Sequence, residues 1–289
     1  MILITGATGK LGGQVIETLL TKNVPATQIA ALVRDGNKAT HLKEKGIDIR
    51  IGDYDNKSSL DEAMQGINKV LLVSGLDMSK VVEQHKNVVD AAKKAGVNCL
   101  AYTSNCLRDR NTVVNKIMLT HFETEDYIIA SGLNYLIFRN VLYMDSMALH
   151  LIGGKNVVET GISLPSGDGR VSYALRSDEA EAIGNVLAGE DCANHIYEFT
   201  NSRTYSFYDV ADALSELAGK RVTYTPVDMQ TYKASARERG VPEYIVEAIA
   251  PFMTDITNGQ GSTVSTELED ALGRKPVDLK AGLKQLLNL

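Results

Sequence analysis

Three glycines at fixed spacing, Gly6, Gly9 and Gly12, stand between an apolar run, Met1–Thr5, and a stretch where Leu11, Val15, Ile16, Leu19 and Leu20 recur at helical spacing. A strand, a glycine turn and a helix beginning near Lys10 leave backbone N–H groups facing outward at a helix N-terminus. That geometry binds the pyrophosphate of a dinucleotide. One glycine permits the tight turn, one lets the phosphates approach, and one lets helix and strand pack closely. The flanking strand and helix distinguish the pattern from a bare connecting turn. A second apolar run, Ile29–Val33, ends in Arg34, at about the 20-residue interval where such folds contact the adenosine ribose. An acidic residue there bonds a 2′-hydroxyl, and Arg accommodates a 2′-phosphate. Asp35 is the acidic alternative, but Arg34 is nearer the strand and favours NADP(H). Lys10 adds a second cation near the phosphates. After a third strand, Asp48–Gly52, Asp53 is placed to accept from the adenine amino group and Tyr54 to cover the ring.

The elements that must hold these residues follow in order. A short helix is predicted over Asn37–Lys45, and Ser58 or Ser59 is expected to cap another that runs to Gln65. Lys69–Val73 is almost wholly apolar, as a central parallel strand buried on both faces should be, and it ends at Ser74-Gly75. A helix over Ser79–Ala95 carries His85 within its apolar stripe, which reads as a helix-face residue satisfied locally rather than a catalytic one. Cys99–Thr103 is a fifth strand, so Thr103, Ser104 and Asn105 fall outside its carboxyl end, where a nicotinamide and substrate would lie. A helix over Val114–Ser131 and a sixth strand, Tyr135–Arg139, lead to Asn140 and Tyr143. Six alternations of strand and helix predict an α/β fold with a doubly wound parallel Rossmann sheet over residues 1–150.

From about Met144 glycines punctuate short segments, and only Val171–Ala174 looks like a strand there. Ser177 is expected to cap a helix over Asp178–Ala188, His195–Phe199 reads as a strand, and Ser206 with Asp209 resembles a capping box for a helix to Ala218. Val222–Pro226 is a further strand. Asp228–Leu289 reads as several helices interrupted by Pro242, Gly259-Gln260-Gly261 and Gly273. Residues 151–289 are thus expected to form a smaller, mostly helical substrate-side lobe closing over the cofactor. The chain is expected to recross, so that 171–200 contributes to the first domain.

Composition narrows the partners. A net charge of −6 over 289 residues gives no footprint for nucleic acid, and no Lys/Arg run marks an anionic membrane surface. No apolar stretch is long enough to span a bilayer, and with a strand at the opening residues no signal peptide is expected. Cys99, Cys106 and Cys192 are odd in number and lack metal-ligand spacing, so a reduced, cytoplasmic setting is expected, with no metal. The chain is expected to be a monomer or homodimer.

Gly6–Gly13 (G-A-T-G-K-L-G-G), Arg34, the G-D-Y of Gly52–Tyr54, Ala101–Ser104, Thr124-Glu125, Phe138–Asn140 and Tyr143 together resemble the NmrA-like, atypical branch of the short-chain dehydrogenase/reductases. Within it the sequence is most similar to bacterial NAD(P)H:quinone oxidoreductases and triphenylmethane reductases, over essentially the whole chain. The resemblance implies NADP(H) contacts at Gly6, Ala7, Thr8, Gly9, Lys10 and Leu11, at Arg34, at Ser74 and Gly75, at Asn140, and in the Ala174–Glu179 segment that carries Arg176.

Ordinary members of the wider superfamily protonate a carbonyl with a Tyr whose pKa is lowered by a Lys four residues later. No Tyr-x-x-x-Lys occurs here. Reducing a ketone creates an alkoxide that needs a tuned proton donor. A quinone instead accepts hydride to give a stabilised phenolate, and a triarylmethyl cation accepts it with no proton required. Those acceptors need mainly positioning in a dry, apolar pocket. The expected activity is therefore hydride transfer from NADPH to a quinone or related electrophilic aromatic. His121 and Tyr143 are the catalytic candidates, with Asn140 as a cofactor carboxamide contact. A non-catalytic NADP(H)-binding sensor of the NmrA type would carry the same cradle and lack the same tyrosine. An isomerase, or an enzyme acting on a sugar nucleotide or isoflavonoid-like compound, is weakened by the absent tyrosine base.

Overall fold

The continuous apolar runs of the first half become strands whose residues are covered on both faces. All five residues of Ile29–Val33 and all four of Lys69–Leu72 are buried. In the computed structural model, which describes residues 1–75, 77, 79–189, 192–238 and 240–289, the chain begins with β1 (Ile2–Ile4), α1 (Lys10–Thr21), β2 (Ile29–Val33), α2 (Thr40–Glu44), β3 (Asp48–Ile51) and α3 (Lys57–Ala63). It continues through β4 (Lys69–Leu72), α4 (Val81–Lys94), β5 (Cys99–Asn105), α5 (Lys116–Ser131), β6 (Asn134–Asn140), α6 (Met144–Ser146), α7 (Val157–Thr160), β7 (Ile162–Leu164), α8 (Arg176–Ala188) and β8 (His195–Phe199). It closes with α9 (Phe207–Ala218), β9 (Tyr224–Pro226), α10 (Met229–Glu238), α11 (Glu243–Thr257), α12 (Glu267–Leu272) and α13 (Leu279–Leu287).

Seven strands form one sheet in the order β3-β2-β1-β4-β5-β6-β8, with parallel pairing from β3 to β5. The chain order reverses between β1 and β4, which makes the carboxyl ends of those two strands the switch point where doubly wound sheets bind ligands. Side chains alternate across the sheet. Leu3, Ala30, Leu32, Val70, Leu72, Leu100 and Tyr102 share one core with Leu60 and Ala63 of α3, Val88 and Ala92 of α4, and Ile128 of α5. The intervening residues Ile4, Ala31, Leu71 and Ala101 are fully buried on the opposite face. There α8 approaches α1 so closely that a Cβ at Gly184 would lie 2.6 Å from the Thr18 side chain.

The contacts divide the chain into two units. Met1–Asn105, Ile117–Arg139 and Ser177–Tyr197 form the first, and Cys106–Lys116, Asn140–Arg176 and Glu198–Leu289 the second. In the second unit β7 and β9 pair in parallel, and the Phe207 ring packs 5.7 Å from Tyr224 and 6.5 Å from Tyr173. The Asp255 carboxylate accepts from the Val114 and Asn115 N–H groups, and the Gln260 side chain both accepts from and donates to the Asp109 backbone.

Several expectations need correction. Val171–Ala174 is not a strand: its ladder reduces to single bridges, Val171 to Tyr205 and Ala174 to Tyr143, and Ser172 donates its N–H to Gly261 O. Helix α8 starts at Arg176, so Ser177 lies inside it, and the Arg176 N–H is accepted at 3.0 Å by Asp145, 31 residues away in sequence. Helix α3 is capped by Asn56, which accepts from Ser59 N–H, not by Ser58 or Ser59. The capping box of Ser206 and Asp209 forms as expected. The three cysteines are not all reduced, because Cys99 at the start of β5 and Cys192 before β8 form a disulfide with Cα atoms 5.8 Å apart. Among the described residues no helix is long and apolar enough to cross a membrane, and no cluster of His, Cys, Asp or Glu is arranged to hold a metal.

Candidate functional site

At the end of β1 the chain turns with Gly6 at φ +57, a left-handed conformation that costs other L-residues. Gly9 donates its N–H to Gly6 O at 2.9 Å and becomes the residue before α1, with no side chain capping the helix. The first N–H groups of α1 therefore keep their free donors and the positive end of the helix dipole for an anion. A Cβ at Gly12 would sit 2.5 Å from Gly6 O, so only glycine lets α1 pack this closely on the turn. Ala7 and Leu11 are buried beneath the turn, while Thr8, Gly9 and Lys10 are exposed.

Arg34 follows β2 directly and is exposed. Among the described residues neither Lys10 nor Arg34 makes an ion pair or a side-chain hydrogen bond, which leaves both cations available to a phosphate. The competing acidic residue is already engaged. Asp35 accepts from Asn37 N–H at 3.0 Å and caps the short 3₁₀ turn Gly36–Ala39. The donor set after β2 thus fits a 2′-phosphate better than a bare ribose.

Asp53 likewise uses one carboxylate oxygen locally, accepting from Asp55 N–H at 3.0 Å. The Tyr54 hydroxyl reaches inward, bonding Thr5 Oγ1 and donating to Val73 O at 3.0 Å, and burial pushes it well above the usual phenol range. Tyr54 therefore ties the ends of β1 and β4 together, a role its sequence position does not announce. The turn after β4 is pinned at both residues. Ser74 donates its N–H to Thr103 Oγ1 at 2.9 Å, and Gly75 donates its N–H to His85 Nε2 at 3.0 Å. The expectation that His85 is satisfied locally is overturned: it bridges two other elements, with Nδ1 2.9 Å from Thr124 Oγ1 on α5.

The polar end of β5 is similarly occupied. Ser104 Oγ donates to Glu125 Oε1 at 2.5 Å, and Arg139 holds the same carboxylate with two hydrogen bonds, of 3.0 and 2.7 Å. Glu125, Ser104 and Thr103 are all buried. His121 Nδ1 lies 2.9 Å from the Tyr102 hydroxyl. Burial pushes His121 down to about 4, so its imidazole is neutral at neutral pH. Burial likewise raises the Tyr102 hydroxyl above the usual range. His85, Tyr102 and His121 line up as neighbouring rings with centroids 5.3 and 6.1 Å apart. The sequence signal for this cluster was present only as polar residues inside apolar stripes, and their partners come from other elements. Asn105 Oδ1, at the end of β5, is buried with no hydrogen-bond partner among the described residues.

In the second unit Asn140 is buried, its Nδ2 3.5 Å from the Tyr143 hydroxyl and its Oδ1 without a hydrogen-bond partner among the described residues. The Arg176 guanidinium lies 4.5 Å over the Tyr143 ring and is held by Asp145 and Ser146. Arg176 is thus already engaged by an aromatic face and a carboxylate.

Several known proteins are similar to this chain. Quinone oxidoreductase 2 of Escherichia coli (strain K12) is 33% identical over 100% of this chain and 99% of its own length. The NAD(P)H azoreductase of Xenophilus azovorans is 28% identical over 86% of this chain and 85% of its own. The structure of Citrobacter sp. triphenylmethane reductase complexed with NADP(H) superposes with a TM-score of 0.91 at 35% identity, covering 99% of this chain and 100% of that one. That of the E. coli NADPH-dependent quinone oxidoreductase complexed with NADPH gives 0.92 at 33% identity, covering 99% of each. The model of the NmrA-like family matches residues 1–286. The chain belongs to the NmrA-like family.

Proposed function

We propose that this chain is an NADPH-dependent oxidoreductase that reduces a quinone or a related electrophilic aromatic acceptor, without a Tyr-x-x-x-Lys pair. The observation that carries the cofactor half is the contrast after β2: among the described residues Arg34 stands without an ion pair while Asp35 is committed to its own turn. When bound, NADPH supplies a hydride. The chain's residues hold it. The uncapped N-terminus of α1 and the Gly6–Leu11 turn take the pyrophosphate, and Lys10 and Arg34 take the 2′-phosphate. Asp53 and Tyr54 flank the adenine, and the Ser74-Gly75 turn with Thr103 and Ser104 shapes the nicotinamide side. Asn140, whose buried Oδ1 has no partner among the described residues, is an acceptor for a carboxamide N–H.

The acceptor half rests on proton chemistry. A ketone reductase needs an acid poised near the operating pH. Here the two imidazoles near the strand ends, His85 buried and His121 half-buried, are both neutral, held down to about 3 and about 4, and both are hydrogen-bonded. Such a site suits an acceptor whose product anion is stabilised by its own aromatic system. Relatives named as quinone, azo and triphenylmethane reductases support this reading.

The test is a stopped-flow trace of NADPH absorbance with a benzoquinone and, separately, a cationic triarylmethane dye. Protein-dependent oxidation with either supports the proposal. No oxidation above background across both acceptors, together with tight NADP⁺ binding, would overturn it in favour of a non-catalytic binding protein.

A further inference from the structure

His85 contributes to none of the cofactor contacts above, yet almost all of its surface is buried and both ring nitrogens are engaged. The direction of each bond can be assigned. A backbone N–H can only donate, so Gly75 N–H makes Nε2 an acceptor, and the ring's single proton must sit on Nδ1. Nδ1–H then donates to Thr124 Oγ1, whose own proton goes to Thr120 O at 2.9 Å. The donors run in one direction, from the turn after β4, through α4, into the backbone of α5. An imidazolium would set an Nε2–H against the Gly75 N–H, so the bond exists only with a neutral ring. The adjacent N–H, Ser74, is fixed separately by Thr103.

The turn held in this way is the exit of β4, the strand next to β1, so it lies on the carboxyl edge of the sheet at the switch point. We propose that His85 is a positioning residue for the cofactor: its neutral, Nδ1-protonated imidazole fixes the Ser74-Gly75 turn in the shape that receives the nicotinamide half of NADPH. This rests on the NADPH reading above. Packing alone would be served by any apolar side chain of similar size. Positioning requires an acceptor at the place of Nε2, and Gln can supply one with its Oε1.

The experiment compares wild type with His85→Leu, His85→Gln and Thr124→Val. NADPH binding is read from the fluorescence of the bound cofactor, and KM and kcat are measured with a benzoquinone. In parallel, the tautomer in wild type is read by ¹⁵N NMR of labelled histidine. His85→Leu leaves the half-buried Gly75 N–H without its acceptor and is expected to raise the dissociation constant and KM for NADPH together by about 10-fold or more, with a much smaller fall in kcat. His85→Gln is expected to recover most of that loss, and Thr124→Val to fall between. The NMR spectrum is expected to show a protonated Nδ1 and an unprotonated Nε2. Equal binding by wild type and all variants, or equal losses in Leu and Gln, or an Nε2–H tautomer, would each overturn the proposal even with wild type binding NADPH normally. Failure of wild type to bind NADPH would instead remove the cofactor reading and this inference with it. Should His85→Leu not fold, the Thr124→Val measurement and the tautomer still decide.

Discussion

Burying a neutral histidine makes stability depend on pH, and His85 allows the size to be worked out. Desolvation by burial, helped by the nearby His121, pushes its pKa from the ordinary 6.5 down to about 3. Tyr54, Tyr102 and Thr124 surround the ring and remain neutral through the acidic range. Below 6.5 the unfolded chain therefore binds a proton that the folded chain refuses, and stability falls as pH falls until about pH 3. At pH 5 the unfolded histidine is about 1.5 units below its pKa, which at about 1.4 kcal/mol per unit gives a loss of about 2 kcal/mol relative to pH 8. Gln in its place keeps an acceptor for Gly75 and does not titrate. Urea unfolding of wild type and His85→Gln at pH 8, 6.5 and 5 should therefore give a difference that shifts by about 2 kcal/mol in favour of the variant at the acid end. Parallel pH curves for the two proteins would refute the reasoning, because they would mean that His85 takes up its proton while folded. His121, held down to about 4 by burial, adds a loss of the same sign.

Three further outcomes follow from the structure. Arg34→Ala should weaken NADPH binding by about 10-fold or more and NADH binding far less, since a charge-assisted contact to the 2′-phosphate is lost; equal losses in fluorescence titrations would remove that assignment. Tyr143→Phe should leave quinone turnover within about threefold, whereas a general acid contributes about 100-fold or more, so a loss of that size in kcat would identify Tyr143 as a proton donor. With Cys99 and Cys192 bridged and Cys106 outside the bridge, denatured protein should show one reactive thiol before reduction and three after it. Reduction should also lower stability by about 2–4 kcal/mol, because the bridge closes a long loop, spanning 93 residues of sequence.

What could be read from the sequence was local. The glycine turn, β2 at Ile29–Val33, β8 at His195–Phe199 and the capping box of α9 stand where expected, because each depends on residues within one short window. The misread pieces take their partners from far away. Val171–Ala174 has the composition of a strand, but Tyr205 and Gly261 intercept its hydrogen bonds. Ser177 has the look of an N-cap, yet Asp145 accepts from the N-terminus of α8 one residue earlier. Strand β7, Ile162–Leu164, is too short to show any period and exists because Tyr224–Pro226 lies beside it. The odd number of cysteines hid the pairing of Cys99 with Cys192, since parity says nothing about which thiols the fold brings together. His85 was misjudged for the same reason: helical spacing placed it in the core correctly, but the Gly75 N–H and Thr124 that engage it belong to other elements.

The polar residues around the strand ends also bear on the missing tyrosine. Thr103 Oγ1 accepts from Ser74 N–H, and Ser104 Oγ–H donates to a carboxylate that Arg139 already pairs with. His121 is neutral and bonded to Tyr102, whose hydroxyl burial makes a weaker acid than free phenol. Tyr54 is occupied between β1 and β4. Ser104 and Tyr54 are therefore donors within the scaffold, and using either as an acid would break the hydrogen bond it donates, at a cost of about 1–3 kcal/mol before any chemistry began. A site built in this way gains nothing from an acceptor that demands a proton in the transition state. It favours one that is already electron-poor and can hold the new electron pair in its own rings, which is why the quinone and the cationic dye, rather than a simple ketone, are the acceptors to test first.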